Sequence, residues 1–347
     1  MQAYLDALRR DRPIYAFIVG YGALTFALSR ALGLPATFQP ISLVDVYVRF
    51  AGYGLLLAGI WLAIRSLPKA SPVAALSAEL RALATPERVS GAAMIIGIAV
   101  FMSIFASAKA LLPHIVPFWA DPLLADLDAL LAGGVAPWHY LPRSPAITQV
   151  VDGLYGWPWF AVMFTSICAA VLARGGAYRQ QYLWTFLIAW ILLGNLVACA
   201  VMSGGPVYFE ALTGQADFKP LADEVAANGP WSLIMRNNLW NGYIDGSAGL
   251  AAGISAFPSM HLSITTLFVL QANRIHPRLA WAAAALCIWV LASSVYLGWH
   301  YAVDGYFSIG FTVVLWKAVG LALRARARPD GFEPLPAFPA TLRPASS

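Results

Sequence analysis

Charge is what this sequence has least of. Only 11% of its 347 residues are Asp, Glu, Lys or Arg, against about 25% in soluble globular domains. That deficit excludes a soluble fold of this length. With 60% of residues hydrophobic, it leaves a polytopic membrane protein. Cysteine is also scarce. Cys168, Cys199 and Cys287 all lie in apolar stretches; without metal-ligand spacing they read as small packing residues and say nothing of redox compartment. A concentrated basic face is missing too. The net charge of +5 comes from residues dispersed between apolar runs, which excludes a nucleic-acid partner and serves instead as a topology signal. No short-period repeat and no separate soluble domain is visible. No short leader with a small-residue cleavage site opens the chain, so its first apolar run is expected to stay as an anchor.

What is there is a series of long apolar runs. Eight are of spanning length, at residues 14–33, 46–65, 91–112, 147–173, 181–202, 257–273, 278–298 and 300–323. Each has the roughly 20 residues that a 30 Å hydrocarbon layer requires. The expected fold is therefore an all-α bundle of eight transmembrane helices. With the N-terminus cytoplasmic, fifteen of the 22 Lys and Arg residues fall on the inner side, as the positive-inside rule demands. Both termini are then cytoplasmic. In a bacterial inner membrane the opposite face is periplasmic.

Three stretches do not span. Residues 113–146 form a first outer loop, whose "WADPLLADLDALLAG" places leucines at helical spacing and Asp121, Asp126 and Asp128 on other faces. This is an amphipathic helix lying in the interface or capping the bundle. Residues 203–256 form a second outer loop, of a length usually tied to function. The tail, 324–347, is Pro-rich and expected to be disordered. The chain thus divides into a three-helix N-terminal part (1–112), a region carrying the chemistry (113–323) and that tail.

The candidate chemistry lies at two helix starts. His300 opens "HYAVDGY" and puts Asp304 four residues on, on the same helical face. A carboxylate there fixes the imidazole tautomer and frees the other nitrogen. His261 follows Pro258 and Ser259 in "FPSMH". Proline suits a first turn, Ser259 suits a cap, and the free amides of such a start attract an anion, above all a phosphate. Each feature alone is an ordinary helix start or interfacial anchor. Together, two histidines, an aspartate in register and an anion-binding start meet at one membrane face. Phosphoryl transfer needs those parts: His300 as nucleophile, Asp304 to orient it, His261 to protonate the leaving oxygen, and Ser259 with the amides to hold phosphate. This scheme requires no metal or other cofactor. The competing reading is zinc on His261, His300 and Asp304, which leaves the Pro-Ser start unexplained.

"PSMH" and "SSVYLGWHYAVD" resemble the second and third signature motifs of the type 2 phosphatidic acid phosphatase (PAP2) superfamily, over roughly residues 115–323. The resemblance implies a six-helix core, with two of the eight helices added at the N-terminus, and the same roles for His300, Asp304 and His261. Two departures stand out. Ser294 occupies the place of the third motif's arginine. The first motif, Lys, six residues, Arg-Pro, is absent, and "SGGPVYFEALTG" (203–214) stands there. The pattern Tyr296, Leu297, His300, Tyr301, Val303, Asp304 is similar to the branch that includes inositol phosphorylceramide synthases, which implies transfer of a phosphate-bearing head group between lipids. A phosphate dianion still needs cations. Arg236 and Lys219 in the second outer loop are the candidates, Arg143 is a third, and Tyr296 is a further phosphate donor. The expected partners are a membrane lipid with a phosphate head group and an alcohol acceptor.

Overall fold

Hydroxyl and proline residues punctuate the helices. Thr85 accepts a hydrogen bond from the Arg88 amide ahead of Pro86, and Ser144 accepts one from Ile147 ahead of Pro145. Ser259 accepts one from Leu262. Each pairs an amide that the first helical turn would otherwise leave free. The computed structural model describes residues 2–68, 71–83, 85–172, 176–245 and 253–326, and shows helices with no strand among them. The chain runs through α1 (Gln2–Arg10), α2 (Arg12–Ala31), α3 (Val44–Ser66), α4 (Pro72–Leu83) and α5 (Pro86–Leu111). Then come α6 (Asp121–Leu131), α7 (Pro145–Val171) and α8 (Gly176–Ile191), the last continuing through a π segment, Leu192–Val197, to Ala200. The final five are α9 (Lys219–Asn228), α10 (Pro230–Ile244), α11 (Met260–Ile275), α12 (Pro277–Tyr296) and α13 (Ala302–Arg326).

Seven helices among the described residues are long and apolar enough to cross a membrane: α2, α3, α5, α7, α8, α12 and α13. The protein is an all-α polytopic membrane protein. Every expected span has a helix, but α11, expected over 257–273, has only 16 residues. It starts at Met260 because the chain before it, from Ile254 to Ser259, enters as non-helical backbone that is buried except at Ser255. At about 1.5 Å per residue α11 is about 24 Å long, short of a full crossing. It packs against α12, α13, α7 and α8, and residues such as Leu262, Ser263 and Leu267 have no exposure. α11 is therefore the central helix of the bundle. The expected tail lies outside the described residues from 327 onward.

The added N-terminal helices are fastened by polar bonds. Asp11, just before α2, is fully buried and paired with Arg179 of α8, whose Nη2 is 2.7 Å from Oδ2. Ser90 of α5 donates to the same carboxylate at 2.6 Å. Farther along, Tyr21 of α2 donates to Asn195 in the π segment at 2.6 Å. Phe105 of α5 lies where a Cβ on Gly194 would sit, at 2.7 Å.

Candidate active site

Four helix ends and the middle of a fifth helix converge on the histidines: the C-terminal ends of α5 and α12, the N-terminal ends of α11 and α13, and the middle of α7. His300 lies in the turn between α12 and α13. Its Nδ1 is 3.2 Å from Asp304 Oδ2, and the same oxygen accepts the Tyr301 amide at 3.1 Å. That carboxylate assigns the proton to Nδ1 and leaves Nε2 as the basic nitrogen. His300 is 7% exposed and Asp304 is fully buried. Burial, with the charge of Lys109 second, pushes His300 down to about 3; the Ala256 carbonyl opposes this. The imidazole is neutral at any physiological pH.

His261 is the second residue of α11, and its ring centroid is 6.2 Å from that of His300. α7 covers it with two rings one turn apart. Tyr155 stacks on it at 5.0 Å, and Trp159 lies against it at 4.2 Å. Trp159 also donates its indole N–H to the His261 carbonyl at 3.2 Å. Burial, then the neighbouring His300 and Lys109, disfavour a proton on this ring, against the pull of the aromatic faces. Trp159 is at the middle of the 27-residue α7, so His261 sits deeper than the helix mouth where the sequence puts it. Ser259 is wholly buried and caps α11 through its hydroxyl oxygen. It also lies against α13, with its amide 3.5 Å from the Asp304 carbonyl.

The expected cations are elsewhere. Lys219 is half-exposed and paired with Glu210 at 3.2 Å and Asp223 at 3.5 Å. Arg236 donates to the Ala222 carbonyl at 3.4 Å. Arg143 is bound by Glu224 and stacks on the Tyr296 ring at 4.1 Å. The Tyr296 hydroxyl pairs with Thr148 at 2.8 Å. These groups serve to fold α9 and α10 onto α7 and α12, because loop cations find nearby carboxylates and carbonyls first. Ser294, in the place of the family arginine, is fully buried and donates to the Leu291 carbonyl of its own helix.

The cation whose charge acts on both histidines is Lys109, near the end of α5. It makes no salt bridge among the described residues. Gly253 (φ 87°) packs so closely that a Cβ there would lie 2.7 Å from the Lys109 carbonyl and 2.8 Å from its Cγ. A single lysine in an otherwise uncharged apolar run was the available signal, because an ionisable residue inside a span is functional by default.

The acidic residues of α6 are also differently placed than their spacing suggests. Asp126 faces out, but Asp121 and Asp128, seven residues apart on one face, turn inward and are 1% and 4% exposed. Asp128 accepts the Ala302 and Val303 amides at 3.1 and 2.9 Å. Asp121 accepts the Gly204 and Gly205 amides, each at 2.8 Å, and the Tyr301 hydroxyl at 3.0 Å. Burial raises both carboxyls, with these hydrogen bonds pulling the other way. The Gly204–Gly205 loop, which stands where the family's first motif would be, is tied to the α11 start. The Ala256 amide donates to the Ser203 carbonyl, and the Phe257 amide to the Ser203 hydroxyl.

Chemically the arrangement offers a neutral, oriented imidazole, a second imidazole facing it and an ammonium with no salt bridge among the described residues. No group of three or more His, Cys, Asp or Glu side chains converges as a metal requires among the described residues, and His300 and Asp304 spend their facing atoms on each other. No curated protein and no solved structure matches the chain. A family model described as PAP2 superfamily matches residues 122–318, more than half of the sequence, and spans His261, His300 and Asp304. With this match and a histidine pair of that geometry, the chain belongs to the PAP2 superfamily.

Proposed function

We propose that this protein transfers the phosphate-bearing head group of a membrane lipid through a phosphohistidine at His300, in the manner of an inositolphosphotransferase. The observation that carries the reading is the His300–Asp304 bond with His261 facing it at 6.2 Å. Nε2 of His300 attacks phosphorus, and the bond from phosphorus to the leaving alcohol breaks. The proton for that alcohol comes from His261. In the second half an acceptor attacks phosphorus, His261 takes the acceptor's proton, and the P–N bond breaks. Lys109 and the amides at the α11 start hold the equatorial oxygens, a role for which its lack of a salt-bridge partner suits it. A bound dianion also offsets the Lys109 charge and so supports a protonated His261. The site faces the periplasmic side, as the basic-residue bias suggests.

Transfer to an alcohol is favoured over hydrolysis because water reaches a nucleophile only 7% exposed slowly, so an alcohol held in the site outcompetes it. The depth of His261 along α7 would also suit a transporter that merely binds phosphate. An oriented nucleophile with an opposing proton donor has no purpose there. The test is purified protein with a panel of phospholipids, with and without inositol or diacylglycerol, scoring free phosphate against new phospholipid. New phospholipid that disappears in His300→Asn supports transfer. Free phosphate alone points to a simple lipid phosphatase. Full activity in His300→Asn overturns the phosphohistidine reading.

A further inference from the structure

We infer that Asp121 and Asp128 of α6 are positioning residues that set the nucleophile's geometry, an inference that rests on His300 as the phosphorylated residue. The turn that carries His300 is held by carbonyls of α12 up to His300 and by carboxylates after it. Asp304 takes the Tyr301 amide and the His300 ring, and Asp128 takes the next two amides, Ala302 and Val303. These amides open α13 and have no carbonyl of their own helix to pair with. A helix start usually finds its acceptor in its own cap residue. Here the acceptor is on another helix, 174 residues earlier in the chain, so α13 begins where α6 lets it begin.

Asp121 fixes the other side of the same turn. Its two oxygens hold Gly204 and Gly205, and Oδ1 also takes the Tyr301 hydroxyl. Gly205 in turn presses on the residue before the nucleophile: a Cβ on it would lie 2.7 Å from the Trp299 carbonyl. Val207 donates to the Gly298 carbonyl at 3.0 Å. α6 thus grips the backbone on both sides of His300, at 302–303 directly and at 298–299 through the loop that Asp121 holds, while the Ser294 carbonyl of α12 takes the Trp299 and His300 amides. Two carboxylates buried to this extent are costly unless fully bonded, and all four of their oxygens are bonded. Among the described residues neither aspartate is bonded to either histidine ring. Their effect on the reaction passes through the backbone around His300 and through Asp304, on which both charges act, and displacement of the nucleophile by about 1 Å costs on the order of 100-fold in rate.

The probe is inorganic phosphate labelled with oxygen-18. His300 attacks the phosphate, water leaves with a proton from His261, and unlabelled water reverses the step, so label is washed out at a measurable rate. Asp128→Asn keeps one acceptor oxygen and Asp128→Ala keeps none. Asp121→Asn tests the other grip, and exposed Asp126→Asn is the control on the same helix. The expected result is an exchange rate falling about 10-fold in Asp128→Asn and about 100-fold in Asp128→Ala. The half-saturating phosphate concentration should stay within about 3-fold, and Asp126→Asn should match wild type. In the His300→Asn background, Asp128→Asn should leave phosphate binding unchanged. Exchange per folded molecule that is unchanged in both Asp128 variants and in Asp121→Asn overturns the inference, even if those variants fold poorly. Loss of rate and of phosphate binding together also overturns it, as a merely structural effect. Absence of exchange in wild type, or exchange that survives His300→Asn, overturns the phosphohistidine reading and this inference with it.

Discussion

The proposed attack on phosphorus requires a neutral His300, and its surroundings hold it so. Its imidazole titrates near 6.5 when unperturbed and near 3 in the folded protein, mainly because it is buried. Between those values the unfolded chain binds the extra proton. Acidification through that window therefore destabilises the fold, and raising the pH restores it. For the reaction, the expected profile of kcat/KM shows no acid limb near pH 6.5, and a limb centred there would mean a solvated nucleophile. Lys109 allows a separate test. A charge-assisted hydrogen bond contributes about 1.5–3 kcal/mol, or about 10- to 100-fold in affinity. Lys109→Met should weaken inhibition by inorganic phosphate by that factor with the fold intact. An unchanged inhibition constant would remove Lys109 from the site.

At the scale of elements, the loop at 203–207 replaces a charged motif with backbone. Gly205 has φ 91° and ψ 169°, a region essentially restricted to glycine, and the Trp299 carbonyl lies where its Cβ would go. Gly205→Ala should destabilise the protein by about 1–3 kcal/mol and lower turnover, which thermal unfolding and the lipid assay would both register. The helices that carry His261, His300 and Asp304 were legible because their chemistry is local: Pro258 and Ser259 sit at a helix start, and four residues separate histidine from aspartate. Asp121 and Asp128 were not, because their partners are distant in sequence and their segment reads as an amphipathic helix. Lys109 offered only a lone charge near the mouth of an apolar run. Lys219 and Arg236 were chosen for charge and loop position, but Glu210, Asp223 and the Ala222 carbonyl are closer to them than the histidines are in sequence, and in the structure these are their partners.

Across the whole molecule, the N-terminal helices lie outside the family match, which begins at residue 122, yet they are bound to it by a buried ion pair. Removing one partner leaves the other charge buried and alone, at a cost of about 3–5 kcal/mol. Asp11→Asn should lower the unfolding temperature accordingly while leaving turnover per folded molecule near wild type. The length of α11 has a different kind of consequence. A helix about 24 Å long falls short of a layer about 30 Å thick, and on the proposed reading its first turn, with His261, lies beneath the membrane surface. Reactants then arrive sideways, by diffusion in two dimensions, so the concentration that governs the rate is the mole fraction of lipid in the membrane. Diluting the substrate with inert lipid at constant bulk concentration would slow this protein, whereas diluting the vesicles in buffer would not.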